Sequence, residues 1–199
     1  MNDPVTYTPR DFLVRTGIVK PLLEEYLPLL RLAASQRCVR SVALSPESHP
    51  GHDGMIRFWC HSAWRVRIVC GHEDYNRALM RERMTYPAVV SPENVHYRDK
   101  STGRVLADEQ GAVLIDDLVR SRVERIVRAV ELKEARYRDG TDTLLVHEEG
   151  TAWDSERAAL HPAVCAALTS TRESPYQRIF VAYGDDVRLI ERGLTSASS

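Results

Sequence analysis

Residues 113–149, VLIDDLVRSRVERIVRAVELKEARYRDGTDTLLVHEE, decide the fold, because they predict one long helix followed by a buried strand. Apolar side chains recur at steps of three or four residues, with one step of seven, which places them on one helical face. Lys133 divides the step of seven and puts a cation on this apolar stripe. Asp139-Gly140 is expected to end the helix, and residues 143–146 to form a core strand. The stripe comprises Ile115, Val119, Val123, Ile126, Val130 and Tyr137.

The composition is that of an ordinary globular domain with an unusual choice of basic residues. With 199 residues and 43% apolar side chains, the chain is expected to form one domain with an ample core. Its net charge of −1 indicates no general attraction to nucleic acid or membrane. Of 27 basic residues, only Lys20, Lys100 and Lys133 are lysine. A GC-rich genome is one explanation; the other is that these lysines resist replacement, because an ammonium and a guanidinium differ chemically.

Signals for membrane insertion, secretion and disulfide formation are not found in the sequence. No apolar run reaches the roughly 18 residues of a membrane span. The first residues, MNDPVTYTPRDF, have neither the basic nor the apolar part of a signal peptide. The four cysteines show no C-x-x-C spacing, which favours free thiols in a reducing compartment. A cytoplasmic protein without a membrane partner is therefore expected.

The order of predicted elements indicates one α/β domain with a central mixed β-sheet and helices on its faces. Residues 1–10 are expected to be a flexible lead, 11–193 the domain and 194–199 a disordered tail. Pro28 is expected to kink or divide the first helix, and Pro162 to break the last. The helices are predicted at about 21–37, 74–85, 113–139 and 153–169, and the strands at 39–44, 55–61, 64–70, 88–90, 95–97, 105–106, 143–146, 177–183 and 187–191.

This order of elements, together with Lys133-x-x-x-Tyr137, resembles the PD-(D/E)xK nuclease superfamily, the restriction-endonuclease-like fold. In its RecB-like members, a helix after the catalytic strands carries a Q-x-x-x-Y motif. The chain also resembles poorly characterised bacterial proteins in which a K-x-x-x-Y helix precedes an apolar strand. The resemblance spans about residues 20–192 and implies phosphodiester hydrolysis. Carboxylates would hold Mg²⁺ or Mn²⁺, and a lysine would orient or activate the attacking water.

Residue by residue, the resemblance assigns catalytic roles to only part of the expected set. Asp53 fits the aspartate ahead of the hairpin, and Glu24 or Glu25 fits the glutamate of the first helix. The E-x-K element should lie on the strand at 64–70, where the sequence has none. Lys133 would then supply the ammonium from the neighbouring helix.

The alternative interpretation gives these residues ordinary structural roles. Lys133 is then a side chain at the edge of the apolar stripe whose ammonium reaches water or a carboxylate. Asp53 is then a turn residue before Gly54.

Two further groups of residues have the chemistry of binding sites. Residues of the kinds that ligate metals lie within 24 positions, but their spacing matches no standard zinc finger, and buried thiols with surface histidines are the alternative. This group is His49, His52, Asp53, Cys60, His61, Cys70 and His72. Arginine beside an aromatic residue on a sheet face can track phosphates and stack bases, although outward strand faces are commonly charged. That face carries Arg57, Trp59, Arg65 and Arg67.

Three functional hypotheses follow. The first is a catalytically degenerate nuclease-fold protein that binds nucleic acid or a protein partner as an accessory factor. The second is an active Mg²⁺-dependent nuclease that uses Asp53, Lys133, Tyr137 and a helical glutamate. The third is an unrelated structural or regulatory protein. The missing E-x-K element favours the first.

Overall fold

The computed structural model describes residues 21–45, 51–71, 96–107, 115–137, 140–148, 154–169 and 174–190. The helices in these ranges are α1 (Leu27–Ala34), which a π-helical segment (Leu22–Tyr26) precedes, α2 (Ile115–Glu134) and α3 (Asp154–Thr169). The strands are β1 (Val39–Leu44), β2 (Gly54–Phe58), β3 (Ala63–Cys70), β4 (His96–Arg98), β5 (Val105–Ala107), β6 (Thr143–Glu148), β7 (Arg178–Tyr183) and β8 (Asp186–Leu189).

Six strands form one mixed sheet in the order β1-β2-β3-β6-β7-β8, and β4 pairs with β5 in a separate hairpin. The pairs β1–β2, β2–β3 and β7–β8 are antiparallel, whereas β3–β6 and β6–β7 are parallel. Parallel neighbours need crossover connections; α2 lies in the connection from β3 to β6, and α3 in that from β6 to β7. The predicted α/β class with a mixed sheet is confirmed.

The sheet has an apolar core on each face. Strand β6 lies between them: Leu144, Leu145 and Val146 are fully buried, each worth about 1.5–3 kcal/mol of transfer free energy. The first core joins the sheet to α2 and α3 and includes Ile126, Val130, Leu144, Val146, Leu160, Val164, Leu168, Ile179 and Val181. The second joins the opposite face to α1 and includes Leu29, Leu32, Ile56, Phe58, Val66, Ile68, Leu145 and Phe180.

The predicted long helix is observed, but it ends at Glu134, before the predicted end at Asp139-Gly140. The first helix stays helical through Pro28 and changes from π-helical to α-helical hydrogen bonding at Leu27. In α2, Ile126 and Val130 are buried as the stripe predicts, but Ile115 is 52% exposed and the unpredicted Arg122 is buried. In the first helix, the peptide N–H of Leu27 bonds to the carbonyl of Leu22, five residues back. Pro28 has no N–H to continue the ladder, which explains why the π-helical turn ends there.

The expectation that Pro162 breaks the last helix was wrong, because α3 runs through it from Asp154 to Thr169. Leu160, Val164 and Leu168 are fully buried on both sides of the proline. Their packing offsets the cost of a proline inside a helix, about 3 kcal/mol.

The β2–β3 hairpin is also observed, but its turn differs from the prediction. The turn occupies residues 59–62 and is closed by the Phe58 N–H bonding to the Ser62 carbonyl at 2.9 Å. Cys60 and His61 therefore lie in the turn and not on the strand, and His61 takes a positive φ of 66°. The inward–outward alternation of β2 ends at Phe58, and both Cys60 and His61 are exposed.

The remaining predicted elements lie outside the described residues: the lead 1–10, the helix 74–85, the strand 88–90 and the tail 194–199. Within the described ranges, no helix combines the length and apolar character needed to cross a lipid bilayer.

Candidate functional site

Asp53 is held against β3 by one backbone contact and two contacts of its carboxylate. The Asp53 N–H donates to the Val66 carbonyl at 2.9 Å, and Asp53 Oδ2 accepts the Ile68 N–H at 2.7 Å. Its other oxygen, Oδ1, lies 3.3 Å from Arg67 Nη1. The two side chains are 23% and 31% exposed, so the ion pair is only partly shielded from water. Asp53 therefore attaches the start of β2 to the middle of β3.

The Asp53–Arg67 pair lies on the α2 side of the sheet. Successive residues of a strand point to opposite faces. Val66 and Ile68 belong to the core with α1, whereas Val69 packs against the core with α2. Arg67 lies between Val66 and Ile68 in the strand, so its side chain points to the opposite face, which is the face of Val69. The sequence-predicted Asp53 and the helix that carries Lys133 are therefore on the same side.

Two tyrosines connect the end of α2 to the strands. Tyr137 donates its hydroxyl to the Thr141 carbonyl at 2.9 Å, and its ring meets that of Tyr176 edge to face at 5.2 Å. Tyr176 donates to the carbonyl of Lys133 at 3.3 Å. Burial raises the pKa of Tyr176 to about 12, the Arg67 guanidinium acts in the opposite direction, and the Asp53 carboxylate adds to the increase. The end of α2 therefore lies within electrostatic range of the Asp53–Arg67 pair.

The other predicted catalytic residues are distributed over two layers. Lys133 is partly buried near the end of α2, on the same side as Asp53. Glu24 and Glu25 lie on the π-helical segment that leads into α1, in the layer that covers the opposite face. Tyr137, three residues after α2, donates its hydroxyl to the carbonyl of Thr141, two residues before β6. The structure thus brings Asp53 and the helix of Lys133 to one side and places the two glutamates in the other layer.

The chemistry of the pair is that of a fixed anion–cation contact. Arg67 is the residue of β3 whose guanidinium contacts the Asp53 carboxylate. A guanidinium stays protonated and offers only donors, so it cannot accept a proton from water. Among the described residues, no group of three His, Cys, Asp or Glu side chains is placed to hold a metal ion.

The predicted zinc-ligand types are spread over different surroundings. His52 is 8% exposed, whereas Cys60 and His61 are exposed in the hairpin turn. Hydrogen bonds from Ser62 lower the pKa of the Cys60 thiol, whose sulfur lies 3.0 Å from the Ser62 hydroxyl. His49 and His72 lie outside the described residues.

The predicted arginine face is open to solvent on the β1–β2–β3 part of the sheet. Arg65 lies opposite Met55, and Arg57 lies opposite Ala63, so both guanidinium groups point to the same face. Both arginines are exposed, as are Ser41 and Ala43 on the neighbouring strand β1.

Trp59 stands at the end of this face, on the tip of the hairpin. Its side chain is 65% exposed, the largest exposure among the large apolar residues that the structure describes. The guanidinium carbon of Arg40 lies 5.3 Å from the centre of its ring. Cation–π contact holds the arginine beside the aromatic surface, so a flat apolar platform adjoins the basic face.

Sequence reasoning missed Asp142, which acts at the other end of the same face. Its Oδ2 accepts the Arg65 N–H at 3.2 Å, and its carboxylate lies 4.0 Å from Arg65 Nε and 3.9 Å from Arg178 Nη1. Next to it, Thr141 donates its hydroxyl to the Gly51 carbonyl at 2.6 Å. A Thr-Asp pair before an apolar strand was the available signal, and only strand pairing shows what it contacts.

The chain matches no protein-family model, no curated protein and no solved structure. Similarity to known proteins therefore identifies neither a family nor an activity.

Proposed function

We propose that this chain is a nucleic-acid-binding protein with a restriction-endonuclease-like fold that does not hydrolyse phosphodiesters. The observed order of a helix, a three-stranded antiparallel meander, a long helix and a buried parallel strand supports the fold assignment. The position of Asp53 directly before β2 supports it further. These features agree with the element order of the restriction-endonuclease-like fold. A shared element order by itself says little about activity.

The observation that carries the proposal is the contact between Arg67 and Asp53. A hydrolytic site of this class needs carboxylates that hold a divalent cation and a base or lysine that acts on water. Here the carboxylate is occupied by a guanidinium at 3.3 Å and a backbone N–H at 2.7 Å. Mg²⁺ could bind this carboxylate only if both contacts were broken, and the free-energy cost of breaking them opposes metal binding. Asp53 is therefore better suited to a structural role than to a catalytic one.

The open arginine face supports binding. Arg57 and Arg65 point to solvent from adjacent strands, and Trp59 and Arg40 extend the surface at the hairpin tip. Guanidinium groups suit phosphate oxygens, and an exposed indole suits the face of a base. The overall charge of −1 indicates that attraction is local to this face and not a property of the whole molecule.

Fluorescence anisotropy with labelled DNA and RNA oligonucleotides at several salt concentrations tests the proposal. The double variant Arg57→Ala/Arg65→Ala should weaken binding about tenfold, because two phosphate contacts are lost, and should reduce the slope of log K against log salt by about 2. Arg104→Ala/Arg120→Ala removes the same charge from exposed positions on other elements and should leave binding unchanged. Equal effects of both double variants, or no binding by the wild-type chain, would refute the proposal.

The active-nuclease alternative retains one supporting observation, namely that Asp53 and the helix of Lys133 share a side of the sheet. A plasmid-nicking assay with Mn²⁺ separates the two functions. Our proposal predicts no nicking by the wild-type chain. Nicking that disappears in both Asp53→Asn and Lys133→Ala would establish the alternative.

A further inference from the structure

A thiol, an imidazole and a phenol form a chain of contacts between α3 and β7, remote in sequence from the residues discussed above. Cys165 Sγ lies 3.5 Å from Nε2 of His161, one helical turn earlier. His161 Nδ1 lies 3.4 Å from the hydroxyl oxygen of Tyr183, and the two rings meet edge to face with centres 5.9 Å apart. Cys165 and His161 are partly buried, and Tyr183 is 5% exposed.

The fold explains why these groups meet. Leu160, Val164 and Leu168 fix α3 against the sheet, which brings the neighbouring positions 161 and 165 to the edge of that contact. Tyr183 is the last residue of β7 and points to the same face as the buried Val181, two residues earlier. The spacing of four residues in α3 therefore aligns His161 with Tyr183 on one side and Cys165 on the other.

The imidazole of His161 is unprotonated and has a lone pair that can accept the thiol proton, but burial makes it a weaker base than a solvated imidazole. Burial lowers the pKa of His161, Arg188 lowers it further, and Asp186 acts in the opposite direction, so the imidazole is neutral at neutral pH. Burial raises the pKa of Tyr183, as do the nearby Cys165 and Glu148, so the phenol keeps its proton. If Nδ1–H donates to the Tyr183 oxygen, Nε2 carries the lone pair that accepts the thiol proton.

We propose that Cys165 is a reactive thiol, activated by His161 and oriented through Tyr183, whose substrates are hydroperoxides. The arrangement contains a nucleophile, an adjacent base and a third group that orients the base. It does not depend on the nucleic-acid-binding proposal. The thiol of Cys165 is only partly buried, which admits a small uncharged oxidant.

The reaction balances with the hydroperoxide as oxidant. Nε2 of His161 takes the thiol proton, and the thiolate attacks the nearer peroxide oxygen. An S–O bond forms, the O–O bond breaks, and the leaving oxygen takes the proton from the imidazolium as water or an alcohol. The sulfur is oxidised to a sulfenic acid and the peroxide is reduced.

The inference is tested by treating the full chain with hydrogen peroxide in the presence of dimedone, which traps sulfenic acids. The labelling rate of each cysteine is measured by mass spectrometry. Cys165 should be labelled at least tenfold faster than the exposed Cys38, because a base assists its deprotonation. In His161→Gln, where an amide replaces the base, this rate should fall at least tenfold while Cys38 labelling is unchanged. Tyr183→Phe should lower it by a smaller factor, because only the orienting contact is lost.

Two results would overturn the inference. One is labelling of Cys165 no faster than of Cys38 in the wild-type chain. The other is an unchanged rate in His161→Gln, with circular dichroism showing that the variant is folded. Unchanged Cys38 labelling serves as an internal control for the amounts of peroxide and dimedone in each reaction.

Discussion

Replacing Asp53 tests whether this residue joins two strands, as its contacts indicate. In Asp53→Ala the Ile68 N–H loses a charge-assisted acceptor at 2.7 Å, which costs about 1.5–3 kcal/mol. The Arg67 ion pair at 3.3 Å is partly exposed, so it adds only about 0.5 kcal/mol after screening by water. The free energy of unfolding should therefore fall by about 2–3.5 kcal/mol. With a urea slope of about 2 kcal/mol per M, the midpoint should move down by about 1–1.8 M.

Two other variants separate the contribution of the hydrogen bond to Ile68 from that of the ion pair with Arg67. Asp53→Asn keeps an acceptor oxygen and should lose about 1 kcal/mol, chiefly from the charge. Asp185→Ala removes an aspartate that contacts Arg31 at 2.8 Å but is 90% exposed, and it should change stability by less than about 0.5 kcal/mol. If Asp53→Ala changes the midpoint no more than Asp185→Ala, the structural role of Asp53 is refuted.

Two further predictions concern the cores. Leu145→Ala empties a fully buried position between β3 and β7 and should cost about 3 kcal/mol in urea unfolding, with a loss under 1 kcal/mol contradicting its placement. Tyr176 has a pKa of about 12 in the folded chain and about 10 unfolded, so its ionisation favours unfolding as pH rises from 10 to 12. Thermal melts should show a steeper loss of stability over this range for wild type than for Tyr176→Phe; parallel curves would contradict the burial of the phenol.

The candidate site was predictable in its components and not in its contacts. Asp53 before a hairpin and the arginines on its outward face were apparent from the sequence. The pairing of Asp53 with Arg67 was not, because it depends on the register in which β2 lies against β3. Asp142 was missed because its contact with Arg65 depends on how β6 pairs with β3. His161 and Cys165 are a turn apart in the sequence, but the presence of Tyr183 beside them depends on how α3 packs on β7.

The sequence by itself determined the α/β class, the long helix, the fully buried strand after it and an irregularity of the first helix next to Pro28. These follow from local periodicity and from proline stereochemistry, which act within a few residues. Only the tertiary structure decided that α3 continues through Pro162, that Glu24 and Glu25 belong to the layer opposite Lys133, and which cation faces Asp53. These three features depend on strand order, on strand register and on the burial of whole faces. Each of those involves contacts between residues that are far apart in the chain.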